Sequence, residues 1–182
     1  GRATMCTAGE AYSTALQQNL YQAPSQEDLI SARISPHKDA GAIAAVRALP
    51  QRAREFAAIA QEAGADVFVV QSTVSTVKHI SSEYESLDLA KFCREMRIPV
   101  IVGNTVGYEV TLDIMDCGPA AVLIGVGPGA ARTARGALGL GVPQVPATVE
   151  CAAARDGSFK KTLRYVRVYT DGDRRTGAAA CD

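Results

Sequence analysis

The sequence predicts an α/β protein built on a parallel sheet, and three observations carry that expectation. Five short apolar runs begin near residues 42, 67, 100, 120 and 166, each separated from the next by one stretch of helical character. Alternation of that kind gives parallel strands joined by right-handed crossovers. The phrases E-A-G-A-D-V-F-V-V (Glu62–Val70) and D-C-G-P-A-A-V-L-I (Asp116–Ile124) repeat one grammar of helix end, glycine and strand. Polar or glycine-rich residues follow the later runs: Gln71-Ser72-Thr73, Gly103-Asn104, Gly125–Gly129 and Asp171-Gly172-Asp173. That is where α/β folds place ligands. Periodicity alone leaves open whether the sheet is open or curled into a barrel.

Residues 1–9 show no periodicity and are expected to be disordered, with 10–182 as the folded unit. From Glu10, the residues Tyr12, Ala15, Leu16 and Leu20 recur at helical spacing, and Pro24 ends that segment. Ser25 is placed to cap a second helix with Leu29, Ile30 and Ile34 as its apolar positions. Pro36 is expected to break or kink it, at a cost of roughly 3 kcal/mol if the helix continued, and Gly41 closes it. Ala42 to Leu49 reads as a strand with Arg47 inserted. Pro50 then opens an amphipathic helix whose stripe is Phe56, Ile59, Ala60 and Ala63, with Gly64 as its stop.

Val67 to Val70 is apolar without alternation, the pattern of a strand covered on both faces. A helix from about Leu87 to Met96 leads through Pro99 into the strand Val100–Val102. Another from about Tyr108 to Asp116 leads through Gly118 into Ala120–Ile124. Ala147 to Arg155 reads as a helix with Gly157 as its stop, and Val166 to Thr170 as the last strand.

Totals narrow the function classes. Lys+Arg and Asp+Glu number 19 each, so no electrostatic case exists for nucleic acid or a membrane surface. No apolar run approaches the ~20 residues of a membrane span, and the first residues lack the apolar segment of a signal peptide. Five widely spaced cysteines form neither a C-x-x-C pattern nor a disulfide framework, which suits a reducing, cytoplasmic setting. His37 and His79 are isolated and read as surface or loop residues rather than metal ligands.

The chain is organised around Val122–Gly141, V-L-I-G-V-G-P-G-A-A-R-T-A-R-G-A-L-G-L-G. An apolar strand feeds Gly125, Gly127 and Gly129, which allow a sharp turn that presents backbone groups to a ligand. Three readings compete. Gly125–Ala130 formally matches the dinucleotide fingerprint G-x-G-x-x-A, but Pro128 and the later glycines and prolines oppose the helix that fingerprint requires. An ordinary strand-to-helix loop is the second. The third is that Gly125–Gln144 resembles the active-site loop of the IMP dehydrogenase/GMP reductase family, G-x-G-P-G-S-x-C-x-T-R followed by G-x-G-x-P-Q. Ala130 in place of the serine is similar to the short IMP-dehydrogenase-related subfamily that lacks the CBS insert. Val102–Asn104 resembles the family's G-N after its fifth strand, and Thr170–Asp173 its A-D-G-G after the seventh.

The resemblance implies a parallel (β/α)8 TIM barrel, incomplete here, with the five strands matching the third to seventh. A full barrel takes ~250 residues, so 182 residues suggest a piece of a longer protein. It implies a purine nucleotide (IMP or GMP) as substrate, NAD or NADP as cofactor, and potassium held by backbone carbonyls of Gly125 and Gly127. Full-length relatives are homotetramers. In the family a cysteine thiolate adds to C2 of the purine of IMP, hydride passes to NAD, and hydrolysis yields XMP in guanine nucleotide biosynthesis. Substrate contacts fall at Asn104, Gly129, Ala130, Asp171, Gly172 and Asp173, and cofactor contacts at Gln71 and Ser72. Asp171 matches the aspartate that accepts both ribose hydroxyls.

The departures are as informative as the matches. The catalytic cysteine falls at Arg132 and the catalytic threonine at Ala134. A guanidinium stays protonated and is no nucleophile. Asp173 stands where the family has glycine, and Gln71 where IMP dehydrogenases have an aspartate. Three functional readings follow: a segment of an NAD(P)-dependent purine-nucleotide oxidoreductase, inactive as it stands; a catalytically dead homologue that binds a nucleotide or a partner; or a decayed coding sequence.

Overall fold

A computed structural model describes residues 27–78, 85–129 and 138–172. Five strands, β1 (Ala45–Ala48), β2 (Val67–Gln71), β3 (Val100–Thr105), β4 (Ala121–Ile124) and β5 (Arg167–Thr170), form one sheet in the order β1-β2-β3-β4-β5. Every pairing is parallel. Between them lie α2 (Ala53–Glu62), α3 (Leu89–Glu95), α4 (Tyr108–Asp116) and α5 (Gln144–Thr162), with α1 (Glu27–Asp39) ahead of β1.

That order settles what periodicity left open. Right-handed crossovers between strands that always advance in one direction put all the helices on one face. An open doubly wound sheet instead needs a reversal of strand order. The sheet is therefore a segment of a (β/α) barrel, with helices outside.

Register confirms two unlike faces. The row Ala48–Val70–Val102–Val122–Val168 points toward the helices, and Val70, Val102 and Val122 are fully buried. Phe68, also fully buried, packs at 5.8 Å on Phe92 of α3. The alternate row, Arg47–Val69–Ile101–Ala121–Arg167, lines the inner face, and both arginines at its ends are exposed. Burial in β2 thus alternates, contrary to the expectation of two covered faces. Valine at both parities concealed the alternation in the sequence.

Other expectations are corrected in detail. Pro36 does not end α1, which runs on to Asp39. Only Ile34 of the residues around it is buried, and His37 Nδ1 and the Ser35 hydroxyl bond to the carbonyls of Arg33 and Ser31 on either side of the lost Pro36 N–H. β1 is shorter than Ala42–Leu49. α3 opens at Leu89 rather than Leu87 because the Asp88 carboxylate caps it, accepting the Lys91 N–H at 2.9 Å. Gly157 is not a helix stop: α5 passes through it and ends at Leu163, in the left-handed conformation at φ 57°. A β-carbon on Gly157 would lie 2.8 Å from the Tyr108 hydroxyl, so the glycine permits close packing of α4 on α5. Lys38 and the Ala44 N–H both bond Asp66, at 2.6 and 2.8 Å, joining α1 and β1 to the entry of β2. The Lys38 hydrogen bond, then that of Ala44, holds the Asp66 carboxyl below its ordinary range. Residues 1–9, expected to be disordered, and the helix expected from Glu10 lie outside the described residues.

Among the described residues, β1 and β5 each pair on one side only. Unpaired edges beside a half-exposed inner face favour association. The purified chain is therefore expected to bind the dye ANS strongly and to self-associate in sedimentation velocity. A monodisperse, ANS-silent monomer with a sharp thermal transition would show that face and both edges to be covered.

Candidate active site

The strand ends converge on a single carboxylate. Asp171 follows β5, and its main-chain N–H is held by the Ile124 carbonyl at 2.8 Å. Its Oδ2 accepts from Gln71 Nε2 at 2.7 Å and from Asn104 Nδ2 at 2.8 Å. Gln71 Nε2 also donates to Asn104 Oδ1 at 2.7 Å, and Asn104 Nδ2 to the Gly125 carbonyl at 2.8 Å. The ends of β2, β3 and β4 and the residue after β5 are thus tied by one network. Asn104 is buried and joined to Gly103 by a cis peptide bond. No side chain fits at Gly103, where a β-carbon would lie 2.5 Å from that of Leu123.

The glycine loop is shaped by contact as well as conformation. Gly125 has φ 135°, and a β-carbon there would meet Gln144 Oε1 at 2.7 Å and the Asp171 carbonyl oxygen at 2.9 Å. Gln144, buried at the start of α5, donates to the Ile124 carbonyl at 2.8 Å, while its Oε1 has no hydrogen-bond partner. Sequence reasoning passed over this residue as part of the motif; a glutamine directly behind a glycine–proline loop was the available signal. The Val142 N–H bonds the Val126 carbonyl at 3.0 Å and closes the base of the loop.

A cavity of about 150 Å³ opens over this network. Gln71, Ser72, Asn104, Gly125, Gly127, Gly129, Asp171 and Gly172 all line it, so every described residue expected at the site is brought together. Arg47, on the inner face of β1, lines it too and was not anticipated. Ala130, Arg132, Ala134 and Asp173 lie outside the described residues. The cavity offers a fixed carboxylate, a cation and backbone turned by glycine, a set suited to a polyhydroxylated, anionic ligand.

A second cavity, of about 280 Å³, lies beyond Ser72 and Thr73, which it shares with the first. Pro50, Val70, Leu87 and Val102 give it apolar walls. Ser72 turns its hydroxyl into its own loop, toward the Val74 carbonyl and the Ser75 hydroxyl.

No described thiol could stand in for a nucleophile. Burial pushes Cys93 up to about 11, with Cys117 adding to the effect. Burial likewise raises Cys117, beside Asp88, Asp116 and Asp113, and raises Cys151 despite the hydrogen bond from Thr111. None of the three lines either cavity. Among the described residues no cluster of His, Cys, Asp and Glu could hold a metal, and no helix is long and apolar enough to cross a membrane.

Comparison with known proteins agrees with this arrangement. Residues 31–179 match the family model described as "IMP dehydrogenase / GMP reductase domain". An "Uncharacterized oxidoreductase" of Mycobacterium tuberculosis is 36% identical over 165 residues, covering 88% of this chain and 44% of the relative. A GMP reductase of the same species is 38% identical over 100 residues, covering 51% of this chain and 19% of the relative. The crystal structure of an IMP dehydrogenase/GMP reductase-like protein from Corynebacterium glutamicum superposes with a TM-score of 0.81 at 34% identity, covering 93% of this chain and 44% of that one. The chain thus spans less than half the length of the relatives it matches over most of its own. A one-faced parallel sheet, a glycine loop after β4 and an amide-held aspartate after β5 coincide with those matches, and the chain belongs to the IMP dehydrogenase/GMP reductase family of oxidoreductases.

Proposed function

We propose that the chain is the nucleotide-binding segment of an NAD(P)-dependent purine-nucleotide oxidoreductase, and that these 182 residues bind IMP or GMP without turning it over. The carrying observation is Asp171: two amide N–H groups hold Oδ2, and among the described residues nothing bonds Oδ1. A carboxylate oxygen is acceptor-only, which suits the hydroxyls of a ribose. Arg47 supplies positive charge on the wall of the same cavity for the phosphate side of the ligand. The apolar cavity reached past Ser72 and Thr73 approaches the ~300 Å³ of ordinary ligand pockets and fits the base of a dinucleotide. NAD or NADP would supply hydride chemistry when bound; this chain's residues would hold and orient it. Potassium fits less well at Gly125, whose carbonyl already accepts from Asn104. A cation there would depend on that oxygen's second lone pair and on Gly127.

The test is calorimetric titration of the chain with IMP and with GMP. One of them is expected to bind, and Asp171→Ala is expected to weaken that binding about tenfold to a hundredfold, the loss of a charge-assisted hydrogen bond of about 1.5–3 kcal/mol. Absence of binding, or binding indifferent to Asp171→Ala, would overturn the reading.

A further inference from the structure

We infer that Gln71 is a positioning residue for Asp171: it fixes the orientation in which the carboxylate meets the ligand, and through it the preference of the site for ribose over deoxyribose. The inference rests on the nucleotide-binding reading above.

The hydrogen-bond directions are forced. Asp171 offers only acceptors, so the atoms of Gln71 and Asn104 that lie 2.7 and 2.8 Å from Oδ2 must be N–H nitrogens. Asn104 then turns Oδ1 toward Gln71, whose second N–H fills it at 2.7 Å. Both protons of the Gln71 amide are consumed inside the protein, one by each partner. A cofactor that approached Gln71 would therefore meet no free N–H on its amide nitrogen, so those N–H groups act through their neighbours and only Oε1 is left to accept from a ligand.

Without Gln71 the carboxylate keeps one donor, Asn104, whose Nδ2 is shared with the Gly125 carbonyl. Asn104 Oδ1 also loses its partner. With that one donor left, the carboxylate can tilt out of the orientation in which its second oxygen is presented to the ligand. The order of the site depends on a residue 100 positions away in sequence, which reaches across the mouth of the barrel segment from β2 to β5.

The experiment measures calorimetric affinities of the 182-residue chain, Gln71→Leu and Gln71→Glu for IMP and for 2′-deoxy-IMP. The unmodified chain is expected to prefer the ribonucleotide by at least about tenfold, the worth of one charge-assisted hydrogen bond. Gln71→Leu should lose about tenfold toward IMP and clearly less toward 2′-deoxy-IMP, which has only its 3′-hydroxyl to lose, so that the preference narrows. Gln71→Glu, which keeps the shape but sets a second carboxylate against Asp171, should lose at least as much. A merely structural role would weaken both ligands together, and a full preference retained in Gln71→Leu would overturn the inference. If the unmodified chain binds neither IMP nor GMP, the nucleotide reading fails. The positioning role is then decided by the side-chain amide NMR signals of Asn104 in the free protein: they must shift in Gln71→Leu, and unchanged signals overturn it.

Discussion

With IMP and NAD, or with GMP and NADPH, the 182-residue chain is expected to give no change in absorbance, a rate lower by at least about 10⁴-fold than that of a family member with its nucleophile in place. The family's chemistry starts with a thiolate on the loop after β4, and residue 132 of this sequence is arginine. A guanidinium is protonated at every accessible pH and has no lone pair for the purine. The described thiols offer no substitute. A thiol at about 11 instead of 9.0 carries about a hundredfold less thiolate at neutral pH, and Cys93, Cys117 and Cys151 all lie away from the cavity. Arg132→Cys alone should remain inactive, because Ala134 and Asp173 are unchanged. Arg132→Cys combined with Ala134→Thr and Asp173→Gly, built into a complete family barrel, should regain covalent trapping of a purine nucleotide, seen by mass spectrometry on residue 132. Thiolate addition needs only loop and pocket, and with NAD supplied to take the hydride from C2 of IMP it would leave the nucleotide covalently attached. Turnover by the unmodified chain would require chemistry without a cysteine adduct and would overturn the proposal.

What the sequence made legible follows from the range of each signal. β2 and β4 stand out because helix end, glycine and apolar run are contiguous, and their order implies a parallel sheet. Glycine is ambiguous at that range. Gly64 stops α2, at φ 82°, whereas Gly157 lies within α5 and makes room for Tyr108; both look like terminators in a string of letters. Pro36 misleads for a related reason, since an exposed last turn of helix tolerates what a buried one would not. The site shows the same limit more sharply. Motif resemblance pointed to Gln71, Asn104 and Asp171 one at a time, but separations of 33, 67 and 100 residues hide the hydrogen bonds that make them one unit. Arg47 escaped notice because nothing in an apolar strand tells which way its one charged side chain points until register places it beside Val69.

Phe68→Ala should cost about 3–5 kcal/mol, whereas Val69→Ala, one residue along the same strand, should cost about 1 kcal/mol or less. Phe68 is wholly buried against Phe92, with Val100 opposite it on β3, so truncation opens a cavity that close-packed neighbours cannot fill. Val69 faces the inner surface and is only half-buried. Removing its two methyl groups, worth ~0.8 kcal/mol each at full burial, forfeits part of that sum and leaves no enclosed void. Against a total of about 5–15 kcal/mol for a domain, the first substitution threatens folding and the second does not. Urea unfolding at low micromolar protein separates them: at a slope of about 2 kcal/mol per molar, the midpoint should fall by roughly 1.5–2.5 M for Phe68→Ala and by no more than about 0.5 M for Val69→Ala. Equal shifts would mean that both faces of β2 are covered in solution, as its unbroken run of apolar residues suggests. The inner surface would then not be the half-open wall that register and burial describe.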